Sequence, residues 1–166
     1  MDYNSTRDDA GVSWTLSTNA SFLSNGKWNG TVWGTPSVWD IGTWWVNVTV
    51  HYGAFFDSHN FSLNVLAPPI TVCVDDNYDD STPGWQYDHF DVIQDGIDAV
   101  AENGTVYVAN GTYYENVIVN KTIDLIGEDR NGTIIDGGGN GNVVFTSVDW
   151  VNISDFYICN SGQTWT

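Results

Sequence analysis

The chain has 166 residues, enough for one domain or two small ones, and its 21 acidic against 4 basic side chains give a formal charge of −17. With only Arg7, Lys27, Lys121 and Arg130 to meet phosphates, composition argues against a nucleic-acid or anionic-membrane partner. It argues against disorder too, because 9 Trp, 8 Tyr and 7 Phe are far more aromatic residues than a disordered acidic chain holds.

Taken in chain order, the first half reads as short strands. Trp14-Thr15-Leu16 and Thr31-Val32-Trp33 are candidates, and Gly30, Gly34-Thr35-Pro36 and Gly42 punctuate them. The clearest strand puts Trp44, Val46, Val48, Val50 and Tyr52 on one face against Thr43, Asn47, Thr49 and His51 on the other, with Trp45 as the exception. Phe61, Leu63 and Val65 repeat the alternation. Strands at this spacing predict a small antiparallel sandwich over residues 1–67. Ala67-Pro68-Pro69 then reads as a linker, since proline is extended and semi-rigid.

Residues 68–166 change character. A short strand from Ile70 to Val74 leads into the acidic run Asp75-Asp76-Asn77-Tyr78-Asp79-Asp80 and a Pro83-Gly84 turn. Phe90, Ile93, Ile97 and Val100 recur at spacings of one helix face, which predicts a helix over about 88–102, capped by Asp88 or Asp91 and ended by Asn103-Gly104. Beyond Gly104 come apolar clusters too short for helices: Val106–Val108, Val117–Val119, Ile123–Ile126, Thr133–Ile135, Val143–Phe145, Val151–Ile153 and Phe156–Ile158. Gly, Asn or Asp bound most of them. Strands this brief bury a face only by stacking, as the rungs of a solenoid do. Setting Val106/Val108 over Ile123/Leu125 and Val151/Ile153 gives offsets of 17 and 28 residues.

Two stretches carry a resemblance. Trp14–Ser21, Asn29–Pro36 and Asp40–Val50 resemble the immunoglobulin-like or cadherin-like repeats of large archaeal and bacterial surface proteins, which usually begin with one strand more than this chain shows. Ile93–Val100, Gly104–Val108, Gly111–Val117, Lys121–Gly127 and Thr133–Gly138 are similar to the start of right-handed parallel β-helices of the pectin-lyase-like class, as in archaeal surface proteins with NosD-like repeats. The resemblance implies an all-β chain with one short helix: an Ig-like β-sandwich lacking a strand, then a short right-handed parallel β-helix with the helix as its N-terminal cap. The pattern reaches Trp165-Thr166 without a polar C-terminal cap.

Candidate sites follow. The acceptor pattern Asn-x-Ser/Thr occurs at Asn4, Asn19, Asn29, Asn47, Asn60, Asn103, Asn110, Asn120, Asn131 and Asn152. That is ten of 17 asparagines where chance gives about three, which predicts an exported, glycosylated chain. Asp75, Asp76, Asn77, Asp79 and Asp80 offer oxygen ligands on a turning backbone, a pattern suited to Ca2+, although the EF-hand glycine and distal glutamate are missing. Rungs apart in a stack, Cys73 and Cys159 are not expected to bridge within one chain; two buried thiols are the plain expectation, and a link from Cys159 to a neighbouring copy's Cys73 is the alternative. No signal peptide precedes Tyr3, and no run is long enough to cross a bilayer.

Enzymes on the β-helix fold cleave uronic-acid polymers, but their aspartate clusters are missing. Asp124, Asp136, Asp149 and Asp155 are spread along the stack, and Asp136-Gly137 reads as a turn. No catalytic set is expected, and His51, His59 and His89 lie apart from any nucleophile pattern. Trp28, Trp33, Trp39, Trp45, Trp85 and Trp165 are candidates for a sugar platform, with packing expected for most of them. The sequence therefore predicts a structural extracellular or cell-surface module: part of a surface layer, adhesin or fibre. Its partners would be copies of itself, joined head to tail through an open sandwich edge and an uncapped β-helix end, or flanking repeats. The alternative is a polysaccharide-binding or sugar-processing module.

Overall fold

Apolar and polar residues alternate along Trp44–Tyr52, and this stretch forms the centre of an antiparallel sheet in the computed structural model, which describes residues 11–26 and 29–162. The chain is mostly β with one short helix and divides into two units, Met1–Ala67 and Pro68–Thr166.

In the first unit β1 (Val12–Thr18), β4 (Gly42–Tyr52) and β5 (Phe55–Val65) form one sheet in the order β1-β4-β5, while β2 (Leu23–Asn25) and β3 (Val32–Gly34) form a separate hairpin. The β4–β5 turn is two residues long, and Gly53 takes the positive φ (59°) that such turns require. Trp14, Leu16, Trp44, Val46, Val48, Val50 and Leu63 share one face of the sheet. The β2–β3 hairpin lies against part of that face. Phe22 meets Trp44 edge-on at 5.7 Å, and a side chain at Gly30 would strike the Trp14 ring. Coverage is thin: Ala20 and Val46 are the only fully buried apolar residues described in this unit.

The polar half of β5, Asp57–Asn60, extends the strand beyond the Phe61–Val65 segment read from periodicity. Asp57 and His59 occupy positions on the apolar face, opposite Val50 and Val48, and so break the alternation. The tryptophans also depart from expectation: Trp33, Trp39 and Trp45 are at least half exposed rather than packed.

The second unit is built by parallel pairing. β6 (Thr71–Val74), β8 (Thr105–Val108), β11 (Asp124–Gly127) and β14 (Asn152–Ser154) lie side by side, with β7 (His89–Phe90) beyond β6. β9 (Gly111–Tyr113), β12 (Thr133–Asp136) and β15 (Tyr157–Cys159) form a second sheet, and β10 (Val117–Val119) pairs with β13 (Val144–Thr146). Inward positions run in register across strands, as in Val72, Val106, Leu125 and Ile153, and again in Tyr113, Ile135 and Ile158. Fifteen buried residues form this unit's core, each Val, Ile or Leu worth about 1.5–3 kcal/mol of transfer free energy.

One register differs from expectation. Val106 lies beside Leu125 and Val108 beside Gly127, two residues further along than the Ile123/Leu125 alignment. A slip of two keeps every side chain on its face, so hydrophobic pattern cannot distinguish the alternatives. On the other side of β11, a Cβ at Gly127 would collide with the Asp155 carbonyl oxygen.

The helix is shorter than predicted: α1 spans Ile93–Ala99. Phe90 fits the helical spacing but belongs to β7, where the Cys73 N–H donates to the Asp88 carbonyl and the Asp75 N–H to that of Phe90. Neither Asp88 nor Asp91 caps α1. Its N-cap is Val92, which supplies no side-chain bond, and Glu115 instead accepts the N–H groups of Ile93 (2.8 Å) and Gln94 (3.0 Å). At the other end Lys121 Nζ donates to the carbonyls of Ile97, Asp98 and Val100. Both helix ends are thus satisfied from the strand stack. Ile93, Ile97 and Val100 are buried, and Gly96 lies so close to Val72 and Val74 that a methyl there would crowd Val74 Cγ2 at 2.8 Å.

Candidate functional site

The chemistry this chain offers most plainly is unsatisfied backbone at strand edges. In the first unit β5 has β4 on one side and, among the described residues, no strand on the other. The residues whose backbone faces that open side follow from alternation in an antiparallel ladder. Trp45 N–H turns toward β1 and bonds Asn19, so even-numbered residues of β4 face β5 and pair with its odd-numbered ones. Phe56, Ser58, Asn60, Ser62 and Asn64 therefore direct their N–H and C=O outward. Ser58 agrees, since its N–H is taken by the Asp57 carboxylate at 2.9 Å. Phe55 (78 %), Phe56 (72 %) and Phe61 (43 %) remain exposed along the strand. Beside it Phe22, Leu23, Val32, Trp33, Phe61 and Leu63 line an open apolar groove of about 590 Å³.

In the second unit the two ends of the stack differ. At the first layer α1 lies over the core, and Gln94 exchanges two hydrogen bonds with the backbone of Ile118, closing the free side of β10. At the far end β14 and β15, and in the turn before them β13, each have one neighbour among the described residues. Exposure rises accordingly along the inward columns, from Ile135 at 0 % to Ile158 at 44 %.

The acidic loop is held by its own side chains. Asp75 Oδ1 accepts the backbone and side-chain N–H of Asn77, and Asp76 Oδ1 accepts the same Asn77 amide. Asp79 accepts the Ser81 hydroxyl and N–H, which hold its carboxyl below the usual range. Asp80 is exposed. Among the described residues no three His, Cys, Asp or Glu side chains come together as a metal-binding group. Nearby, Cys73, Asp75, Tyr78, Tyr107, Ile126 and Glu128 line a shallow recess of about 390 Å³. Burial, then the Asp88 charge, pushes the Cys73 thiol up, the opposite of what an activated nucleophile needs.

Asn19, Asn29, Asn60, Asn103, Asn110, Asn120, Asn131 and Asn152 are exposed, and Asn47 is half-buried. Asn4, Arg7, Lys27, Trp28 and Trp165 lie outside the described residues. Asn47 and Asn60 are cross-strand partners, with Asn47 Nδ2 donating to Asn60 Oδ1 at 2.7 Å. Asn116, Asn140, Asn142 and Asn160, which lack the acceptor pattern, belong to one turn region: Asn116 donates to the Asn140 and Asn142 carbonyls, and Asn160 to Asp136. Cys73 and Cys159 are free and half-buried, in different sheets.

Asp124 points outward in one sheet, while Asp136 in another accepts from Gly138 and Asn160. His89 bonds Asp88 at 2.8 Å, and His51 bonds Thr15. Among the described residues no helix is long and apolar enough to cross a membrane. A sandwich lacking a strand predicts an open edge; that the edge is β5, and that it runs the full length of Phe55–Val65, is what periodicity does not show. The one available signal was the exposed Phe55-Phe56 pair directly after a Gly-Ala turn. The chain matches no family model, no curated protein and no solved structure.

Proposed function

We propose that this chain is a structural extracellular module, an Ig-like sandwich followed by a short right-handed parallel β-helix, that assembles through its open strand edges. The observation that carries the reading is the pairing pattern. Among the described residues β5, β13, β14 and β15 each have a strand on one side only, whereas Gln94 of α1 closes the free side of β10. Unpaired edges of this length are templates for another chain, and heterologous contacts that do not close give filaments. Eight exposed acceptor asparagines among the described residues support a secreted, glycosylated setting. Mass measurement of the purified chain over a wide concentration range tests the reading; a monodisperse monomer throughout removes it.

Two features belong to the same proposal. Ca2+ at Asp75, Asp76, Asn77, Asp79 and Asp80 would exchange the loop's internal hydrogen bonds for ion contacts, and the density of carboxylates supports it. A melting temperature that rises with millimolar calcium, and no longer does so in Asp75→Asn, is the expected result; no rise removes the ion. A Cys159–Cys73 link between copies is supported by both thiols being free. Non-reducing electrophoresis of assembled material tests it.

A second reading, polysaccharide binding, is supported by the recess beside Tyr78 and Tyr107 and by Trp39 and Trp150, each 89 % exposed. Retention on a glycan array, lost in Tyr107→Ala, would favour it.

A further inference from the structure

The open edge of β5 carries a sequence that fits itself. From Phe55 to Phe61 the strand reads Phe-Phe-Asp-Ser-His-Asn-Phe. About Ser58 it is close to a palindrome: Phe55 mirrors Phe61, Asp57 mirrors His59, and Phe56 mirrors Asn60. A strand with this property meets a second copy of itself in antiparallel register about a two-fold axis, the isologous contact of a symmetric dimer.

We propose that two copies of this chain pair edge to edge through β5, with Ser58 opposite Ser58 on the axis. Three observations converge on that register. Ser58 belongs to the set whose backbone groups face the open side, so Ser58 and its symmetry mate can exchange two N–H···O=C bonds, flanked by Phe56 with Asn60. On the apolar face the register sets each Asp57 carboxylate opposite the other copy's His59 imidazole, twice by symmetry, and each Phe55 opposite a Phe61. Opposite-charge or hydrogen-bonding pairs and aromatic pairs are the combinations that stabilise directly opposed positions. Shifting the axis by two residues to Asn60 instead puts Asp57 opposite Leu63 and Phe55 opposite Val65, and loses both complementary pairings.

Among the described residues no strand pairs with this edge. It holds no lysine, arginine or proline, and its single charged protection is Asp57, whose carboxylate covers the Ser58 N–H. On pairing, that N–H passes to the facing carbonyl and the carboxylate is released toward His59 of the second copy. The first unit gains most, since its own sheet buries so little. Asn60 is also a glycan acceptor on the polar face beside Phe56 of the second copy, so the test uses chain made in a host that does not glycosylate.

The inference rests on the assembly reading above, adds to it a partner and a register, and makes the β5 contact a closed two-fold one, which leaves any filament growth to the other open strands. The test measures the self-association constant of the full chain by sedimentation, for wild type, Asp57→His, His59→Asp and the double exchange. Asp57→His sets imidazole against imidazole and His59→Asp sets carboxylate against carboxylate, so each single variant should dimerise roughly tenfold more weakly. The double exchange recreates both pairs with their members swapped and should return close to wild type. Ser58→Pro, which removes an edge-facing donor that β4 does not use, should abolish dimerisation while leaving the melting curve cooperative. Oligomers whose constants ignore all four variants overturn this pairing but leave the assembly reading standing. A monomer at every concentration overturns both.

Discussion

The carboxylate of Glu115 stands 2.8 Å from the backbone nitrogen of Ile93, the first residue of a helix 22 positions earlier in the chain. Lys121 completes the arrangement at the opposite end of that helix. A seven-residue helix is too short to be stable on its own, so its formation and the closure of the strand stack are one event.

Burial lifts the Glu115 carboxyl above the ordinary glutamate range, against the opposing pull of the Ile93 and Gln94 amides. A carboxyl raised in this way holds its proton more tightly when folded. It favours the folded state below its unfolded value, about 4.3, and that contribution is lost as pH rises through the native value. The melting temperature of wild type minus that of Glu115→Gln should therefore be more positive at pH 4 than at pH 7. The reverse ordering would contradict the assignment.

Removing the Lys121 ammonium leaves three carbonyls at the helix C-terminus without their shared donor. Lys121→Met should cost about 1–3 kcal/mol in denaturant unfolding. Lys121→Arg should recover part of it, because the charge remains while the compact three-way geometry does not.

At Gly127 a methyl would run into the carbonyl oxygen of Asp155, backbone that cannot rotate away. Gly127→Ala should destabilise by about 1–3 kcal/mol. Hydrogen exchange should show the loss concentrated in β14 and β15, the layer Asp155 connects.

Asn47 and Asn60 share a hydrogen bond across β4 and β5, so glycans on both would compete for the same space. Glycopeptide mapping of chain from a glycosylating host should find at most one of the two occupied per molecule. Asn60 should predominate, being the more exposed. Frequent double occupancy would show that the two strands are not paired as described.

Much of this architecture was legible in the residues. Period-two alternation located β1, β4 and the second half of β5, and each brief apolar cluster after Gly104 became a strand in the stack. What escaped depends on contacts distant in sequence. Phe90 satisfies helical spacing and strand spacing equally, and pairing with β6 decides it. The register between β8 and β11 slipped by two because the hydrophobic pattern repeats every two residues. Glu115 and Lys121 reach the helix from more than twenty residues away, beyond any local capping signal. The first half of β5 was hidden because Asp57 and His59 interrupt the alternation by which strands are found, so the length of the open edge was not legible.

The in-register columns of the second unit have a consequence for size. Each further strand paired in parallel widens its sheet by one interstrand step, about 4.8 Å. A protein made this way can be extended or shortened in fixed increments by whole-segment duplication or deletion. The width of each sheet then becomes a countable property of its gene.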